Sequence, residues 1–231
     1  MRQEARPFAR QPIPMHAHPT LQIIHDEHAA LSAVLRSLML LIAEQRRRHL
    51  PMAFEVVRAI LFYIDEFPER LHHPKESDLL FPKLRARAAT AGAVLDRLDA
   101  DHARSERSVR ELEHELLALE MMAEAPGGTE RRERFEEHID AYVLAYLDHI
   151  HVEEHDVLPL AERVLTPADW AELDAAFMRN RDPLTHRAAD DDFRPLFKRI
   201  LLTLPAPLGL GPALEALRSA GGAEVHGHKH G

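Results

Sequence analysis

One pattern occurs twice in this chain, and it limits the possible folds more than any other feature. The segments His72 to Pro82 and His149 to Pro159 both read His-x-x-x-Glu, with a proline six residues after the glutamate. The offset is constant, since 149 − 72, 153 − 76 and 159 − 82 all equal 77. Residues spaced i, i+4 share one face of an α-helix. His72 with Glu76, and His149 with Glu153, therefore present an imidazole and a carboxylate in one direction. That pair is a ligand set for iron, manganese or zinc. Its duplication points to two metals, or to two halves of one dinuclear site.

The sequence around the motifs is helical in period. From Thr20, a plausible N-cap, to about Arg48, the residues Leu21, Ile24, Leu31, Leu35, Leu38 and Ile42 follow a 3,4 spacing, and His28 lies on their stripe. A second helix is expected from about Ala53 to Pro82, with Val57, Ile60, Leu61, Ile64 and Leu71 inward and a kink at Pro68 and Pro74. A third, from about Val94 to Ala123, carries Leu95, Leu98, His102, Ser105, Val109, Leu112, Leu116 and Leu119. Aligned on its histidine, it matches the first helix position by position. The loop signal Pro126 to Thr129 precedes a fourth helix to about Leu158, with Phe135, Ile139, Tyr142, Ala145 and His149 on one face.

The repeat is thus a helix with one histidine followed by a helix with His-x-x-x-Glu. A duplicated αα-hairpin of this kind closes into an all-α, up-down four-helix bundle, here over residues 20–161. Residues 1–19 read as a loose, proline-rich arm. Residues 162–204 read as a helical extension, one helix starting at Thr166-Pro167 and packing through Trp170, Leu173 and Phe177, another at 193–204. Residues 205–231 read as a flexible tail ending in a histidine cluster with no functional weight.

Composition removes several function classes. With no cysteine, disulfides, thiol catalysis, iron–sulfur ligation and thiolate zinc fingers are excluded, which fits a cytoplasmic location. A net charge of −9 argues against non-specific nucleic-acid binding. The longest strongly apolar run, Leu38 to Ala43, is far too short to span a membrane, and the arm lacks the apolar core of a secretory signal.

In the bundle, His28, His72, Glu76, His102, His149 and Glu153 all point inward. Two buried carboxylates in one place are costly, and a pair of divalent cations removes that cost. His25, one turn before His28, borders the same face and is an alternative or companion ligand. His73, His151 and His155 are expected to point away, as surface or supporting residues.

These pieces resemble the hemerythrin-like HHE cation-binding family. The resemblance rests on His25-Asp-Glu-His28, His72 to Pro82, Asp101-His102 and His149 to Pro159, and covers about Leu21 to Ala161. It implies a bundle around two oxo- or hydroxo-bridged iron ions that bind O2, NO or peroxide. Two departures from the O2 carriers stand out. His102 is followed four residues later by Glu106 where they have a second histidine, which makes Glu106 a further ligand candidate. Glu153 and Glu154 stand at four and five residues after His149 where they have an aspartate at five. Sensing or redox chemistry is therefore expected over O2 transport, with a di-iron oxidase or peroxidase as the alternative. A ferritin-like reading would use Glu69 with His72 and Glu111 with His114, which sit on neighbouring helices outside the repeat. No nucleic-acid or membrane partner is expected, and a homodimer is compatible.

Overall fold

The computed structural model describes residues 18–185, apart from 124, 180, 181 and 183. The second helical segment at 193–204, most of the 1–19 arm and the tail lie outside the described residues.

Helix α1 (Pro19–Arg47) is followed by an unbroken helical run made of α2 (Phe54–Ile64), π1 (Asp65–His72), α3 (His73–Lys75), π2 (Glu76–Leu80) and α4 (Phe81–Arg87). A single 3₁₀ turn leads into α5 (Gly92–Met121). The fourth run joins α6 (Gly128–Val152), π3 (Glu153–Val157) and α7 (Leu158–Val164). Gly127, with φ 83°, makes the left-handed step into α6 that a side chain would resist. The runs close into a ring, α1 beside α2 and α6, and α5 beside α2 and α6. This is the all-α up-down bundle expected from the periodicity.

Apolar stripes of all four runs meet in two separate clusters. One gathers Leu31 to Ile42, Val56 to Phe67, Val109 to Leu119 and Phe135 to Ile150. The other gathers Leu21 to Ile24, Leu80 to Leu84, Leu95, Leu98 and Val152 to Leu165. His28, His72, Glu76, His102, His149 and Glu153 fall in the layer between the two.

Helix α8 (Pro167–Phe177) starts with a capping box between Thr166 and Asp169 and buries Trp170, Leu173 and Phe177 in the second cluster. It also finishes α1. Thr20 donates both its backbone N–H, at 2.9 Å, and its hydroxyl, at 2.7 Å, to the Asp174 carboxylate. His18 stacks on Trp170 with centroids 4.1 Å apart. A carboxylate at a helix N-terminus satisfies orphan N–H groups and opposes the helix dipole.

The prolines act through π turns. Pro68 lies inside π1, and Pro82 and Pro159 are the second residues of α4 and α7. A proline cannot donate the usual i→i−4 bond and collides with that carbonyl, and the wider π turn relieves both problems. The turns repeat with the motif, since π2 and π3 begin on Glu76 and Glu153 and end on Leu80 and Val157, again 77 residues apart. Rotation per residue in a π turn is below the α-helical value of about 100°. The second run is therefore out of phase with the expected stripe. Leu71, expected inward, is 37% exposed, and His73, expected outward, is buried.

Candidate metal centre

Six side chains from the four runs converge between the apolar clusters, and all are at most 7% exposed. The structure brings together His28, His72, Glu76, His102, His149 and Glu153. Each of the four imidazoles turns Nε2 towards the middle. His72 Nε2 is 3.1 Å from Glu76 Oε1, and His28 Nε2 is 3.3 Å from Glu153 Oε2. His149 Nε2 is 3.3 Å from Glu153 Oε2, and His102 Nε2 lies 3.5 Å from Glu76 and 3.7 Å from Glu153.

These atoms pack closely, and among them only His102 Nε2 and His149 Nε2 meet as a hydrogen-bonding pair, at 3.1 Å. Nε2 of His72 and both oxygens of Glu76 and Glu153 are buried and lack hydrogen-bond partners. Leaving such atoms unpaired costs about 1–3 kcal/mol each, more for a charged group. A metal ion accounts for the arrangement. Two ligand atoms about 2.1 Å from one ion, at roughly 90–110° to each other, lie about 3.0–3.4 Å apart. Two overlapping groups have this closeness, one of His28, His72, Glu76 and Glu153, the other of His73, Glu76, His102 and His149. Within each group the ligand atoms lie within 4.8 Å of one another.

The outward Nδ1 atoms face a supporting layer. His72 Nδ1 is 2.7 Å from Glu27, His28 Nδ1 is 3.2 Å from Glu154, and His149 Nδ1 is 3.9 Å from Asp101. His102 Nδ1 meets Ser77 Oγ at 2.9 Å, and Ser77 in turn donates to Asp99 at 2.7 Å. Acceptors within hydrogen-bond distance of Nδ1 hold the His72, His28 and His102 rings with Nε2 towards the middle of the cluster. His149 Nδ1 is too far from Asp101 for a hydrogen bond and is held by the ion-pair attraction alone. The duplication extends to this layer. Glu27 precedes His28 and supports His72, while Asp101 precedes His102 and supports His149.

Electrostatics fit a cation site. Burial opposes the charge on His149, yet Glu153, Asp101 and Glu76 outweigh it and raise its pKa to about 10. Burial likewise opposes charge on His72, His28 and His102, and the surrounding carboxylates overcome it in each. Glu153 is held well below the usual carboxylate range, because His149, His102 and His28 outweigh its burial. The cluster draws positive charge, as protons or as metal.

Two candidate ligands are not in the group. Glu106 lies on the outer face of α5, 48% exposed and paired with Arg110 at 2.7 Å. His25 is half-buried, its Nδ1 3.2 Å from Glu154. His151 and His155 are exposed and their rings touch, tilted by 39° with centroids 3.9 Å apart. The ferritin-like set is not assembled, because Glu111 and His114 are exposed.

His73 corrects the outward expectation. It stacks on His102 at 4.0 Å, but both of its ring nitrogens are occupied. Its Nε2 lies 2.9 Å from the Tyr146 hydroxyl and its Nδ1 2.9 Å from Glu69. Burial keeps the Tyr146 hydroxyl protonated and, helped by His102 and His149, keeps His73 neutral. Tyr146 therefore donates to Nε2, and Nδ1–H points to Glu69. No lone pair of His73 remains for a metal, so this residue supports the site. Glu69, raised by burial to about 7, also accepts from Ser105 at 2.5 Å. Neither Glu69's role nor that of Glu27, Ser77 or Asp99 is visible in the motif. The one available signal was the acidic residue directly before each lone histidine, Glu27 and Asp101.

The surroundings of the two halves differ. Beside His28 and His72 lies a void of about 10 Å³, room for one water, whose lining also includes His149. Between α5 and α6 a cavity of about 330 Å³ opens beside His102 and His149, with His73 and Tyr146 also on its lining.

A comparison with curated proteins finds no match to this chain. The family model of the hemerythrin HHE cation binding domain matches residues 20–161. That span holds all four bundle runs and every residue of the metal cluster. With this match covering more than half of its length, the chain belongs to the hemerythrin HHE cation-binding domain family, and its bundle is a metal-cation-binding domain.

Proposed function

We propose that this protein holds two iron ions, one with His28 and His72, the other with His102 and His149, both bridged by Glu76 and Glu153. In this reading it binds O2, NO or peroxide in a cytoplasmic redox or sensing role. The observation that carries it is that Glu76 belongs to both ligand groups and Glu153 Oε2 lies 3.3 Å from Nε2 of both His28 and His149, while the oxygens of both glutamates lack hydrogen-bond partners. Bound iron would supply a redox-active Lewis acid for a small ligand. Two imidazoles and two shared carboxylates give each ion four donor groups, fewer than an octahedral ion takes. Positions thus remain for an exogenous molecule. Glu27, Glu154, Asp101 and Ser77 orient the rings. The Leu, Ile and Phe clusters above and below exclude bulk water.

Metal analysis of freshly purified protein, together with its absorption spectrum, tests the reading. Two irons per chain with near-ultraviolet ferric absorption are expected. One zinc, or no metal, would overturn it.

The cavity favours a second reading, an oxidase or peroxidase with an organic reductant, because about 330 Å³ far exceeds a diatomic molecule. Loss of H2O2 that depends on added reductant would separate turnover from binding alone.

A further inference from the structure

The cavity between α5 and α6 has a built character of its own. Its volume of about 330 Å³ is within the range of small-molecule sites, roughly 300–1,000 Å³. It exists because α6 places Ala141 and Ala145 where larger residues would close the gap against α5. Half of its twelve lining residues carry rings, including Tyr142, Tyr146 and His138. Flat, weakly polar walls of this kind favour a flat aromatic occupant, through stacked or edge-to-face contact.

Its polar groups restrict the occupant further. Ser105 donates to Glu69, so the Tyr142 hydroxyl, 3.1 Å away, donates to Ser105 and keeps its own lone pairs. Ser108 adds another hydroxyl to the wall. These groups match a hydroxyl on the ligand. The one guanidinium on the lining, Arg104, is already paired with Asp101 at 2.7 Å. The carboxylate of Asp101 also lines the cavity, so an anionic ligand gains little there.

We propose, resting on the two-metal reading only for the chemistry beside it, that this cavity is a binding site for an uncharged hydroxylated aromatic molecule, a phenol. The ring lies against Tyr142 and Tyr146, whose own rings meet edge to face with centroids 5.6 Å apart, and the molecule abuts the half of the centre built on His102 and His149. The void described beside His28 and His72 is far smaller, about 10 Å³. The cavity gives a molecule of this size access to the centre on the side of His102 and His149.

Equilibrium dialysis of phenol and of benzoate against the full-length protein as purified tests this. Ala141 and Ala145 are exposed at the cavity edge, so Ala141→Trp and Ala145→Trp fill it without crowding the core. Leu144→Trp, on an exposed residue outside the lining, is the control. The expected result is one saturable phenol site per chain in wild type and Leu144→Trp, with at least tenfold weaker binding in both alanine variants. Benzoate should bind wild type at least tenfold more weakly than phenol. Absence of saturable phenol binding, or unchanged affinity in both alanine variants, overturns the site. Benzoate binding as tightly as phenol overturns the ligand class. Iron per chain, measured on the same samples, fails separately, since an iron-free protein that still binds phenol sinks the two-metal reading and leaves the cavity site standing.

Discussion

Direction on a helix decides what each histidine and glutamate of this chain can do. Glu153 is 1% exposed at the centre of the cluster, whereas His151, two residues earlier on the same run, faces solvent. In the proposed two-iron site, Glu153→Ala should therefore remove more than one metal's worth of binding, because there it would take a ligand from both ions. His151→Ala should leave metal content unchanged and shift stability by no more than about 0.5 kcal/mol. Iron per chain in the two variants checks this, and equal loss in both would refute the facing of the fourth run. The supporting carboxylates make a finer comparison. Loss of an outer-layer partner typically weakens metal binding about 10–100-fold. Glu27→Gln should weaken the ion held with His72, and Asp101→Asn the ion held with His149. Metal titration should show one weakened site in each variant, and weakening of both sites by either change would argue against two separately supported halves.

Among the elements, the π turns and α8 adjust what the bundle alone would produce. π2 and π3 start on the motif glutamates and absorb the prolines six residues later, so the motif proline marks a turn type as well as a position. The sequence carried the prolines openly, but a kink was the expected outcome. What separates the two is whether neighbouring helices support a widened turn, and that is a packing question. Helix α8 acts at a distance of 154 residues by capping α1 through Asp174. Asp174→Ala should cost about 0.5–2 kcal/mol, the range for losing a helix N-terminal acceptor. Urea midpoints would show it, with metal content retained because the cap lies outside the metal layer. A change below a few tenths of a kcal/mol would mean that solvent replaces the cap.

At the scale of the whole molecule, Asp182 and Leu184, which follow α8 in sequence, are buried against the bundle. Asp182 accepts from the Tyr63 hydroxyl at 2.9 Å and from the Leu184 N–H at 2.8 Å. Burial, reinforced by the charge of Glu27, raises its pKa to about 7 from an ordinary value of 3.8. A carboxyl raised on folding stabilises fully below its unfolded pKa, and that contribution is lost as pH rises through the folded one. Wild type should therefore lose stability between about pH 4 and 7 relative to Asp182→Asn, which imitates the protonated acid. The difference should be on the order of 1–3 kcal/mol, read as the gap between the two melting temperatures across that range. Parallel curves would show that Asp182 keeps its charge when folded. Among the described residues no helix is long and apolar enough to cross a membrane.

The local code of this chain determined the helices, their inward faces and the doubled histidine–glutamate pattern, because helical period and i, i+4 spacing are properties of neighbouring residues. It sufficed to place His28, His72, Glu76, His102, His149 and Glu153 on one layer. Tertiary structure decided the choice between His28 and His25, the exclusion of Glu106, and the inward turn of His73. The first two turn on a few tens of degrees of rotation about α1 and α5, and the inward turn of His73 on the π1 turn directly before it, which shifts the phase from that of an ideal helix. It also decided the pairing of Glu27 with His72 and of Asp101 with His149, because those partners lie on different helices and meet only when the bundle closes. The difference between the small void beside His28 and the wide cavity beside His102 arose the same way. Small residues on α6 leave a gap against α5, while Asp182 joins the lining of the small void beside His28, and no single stretch of sequence contains either contact.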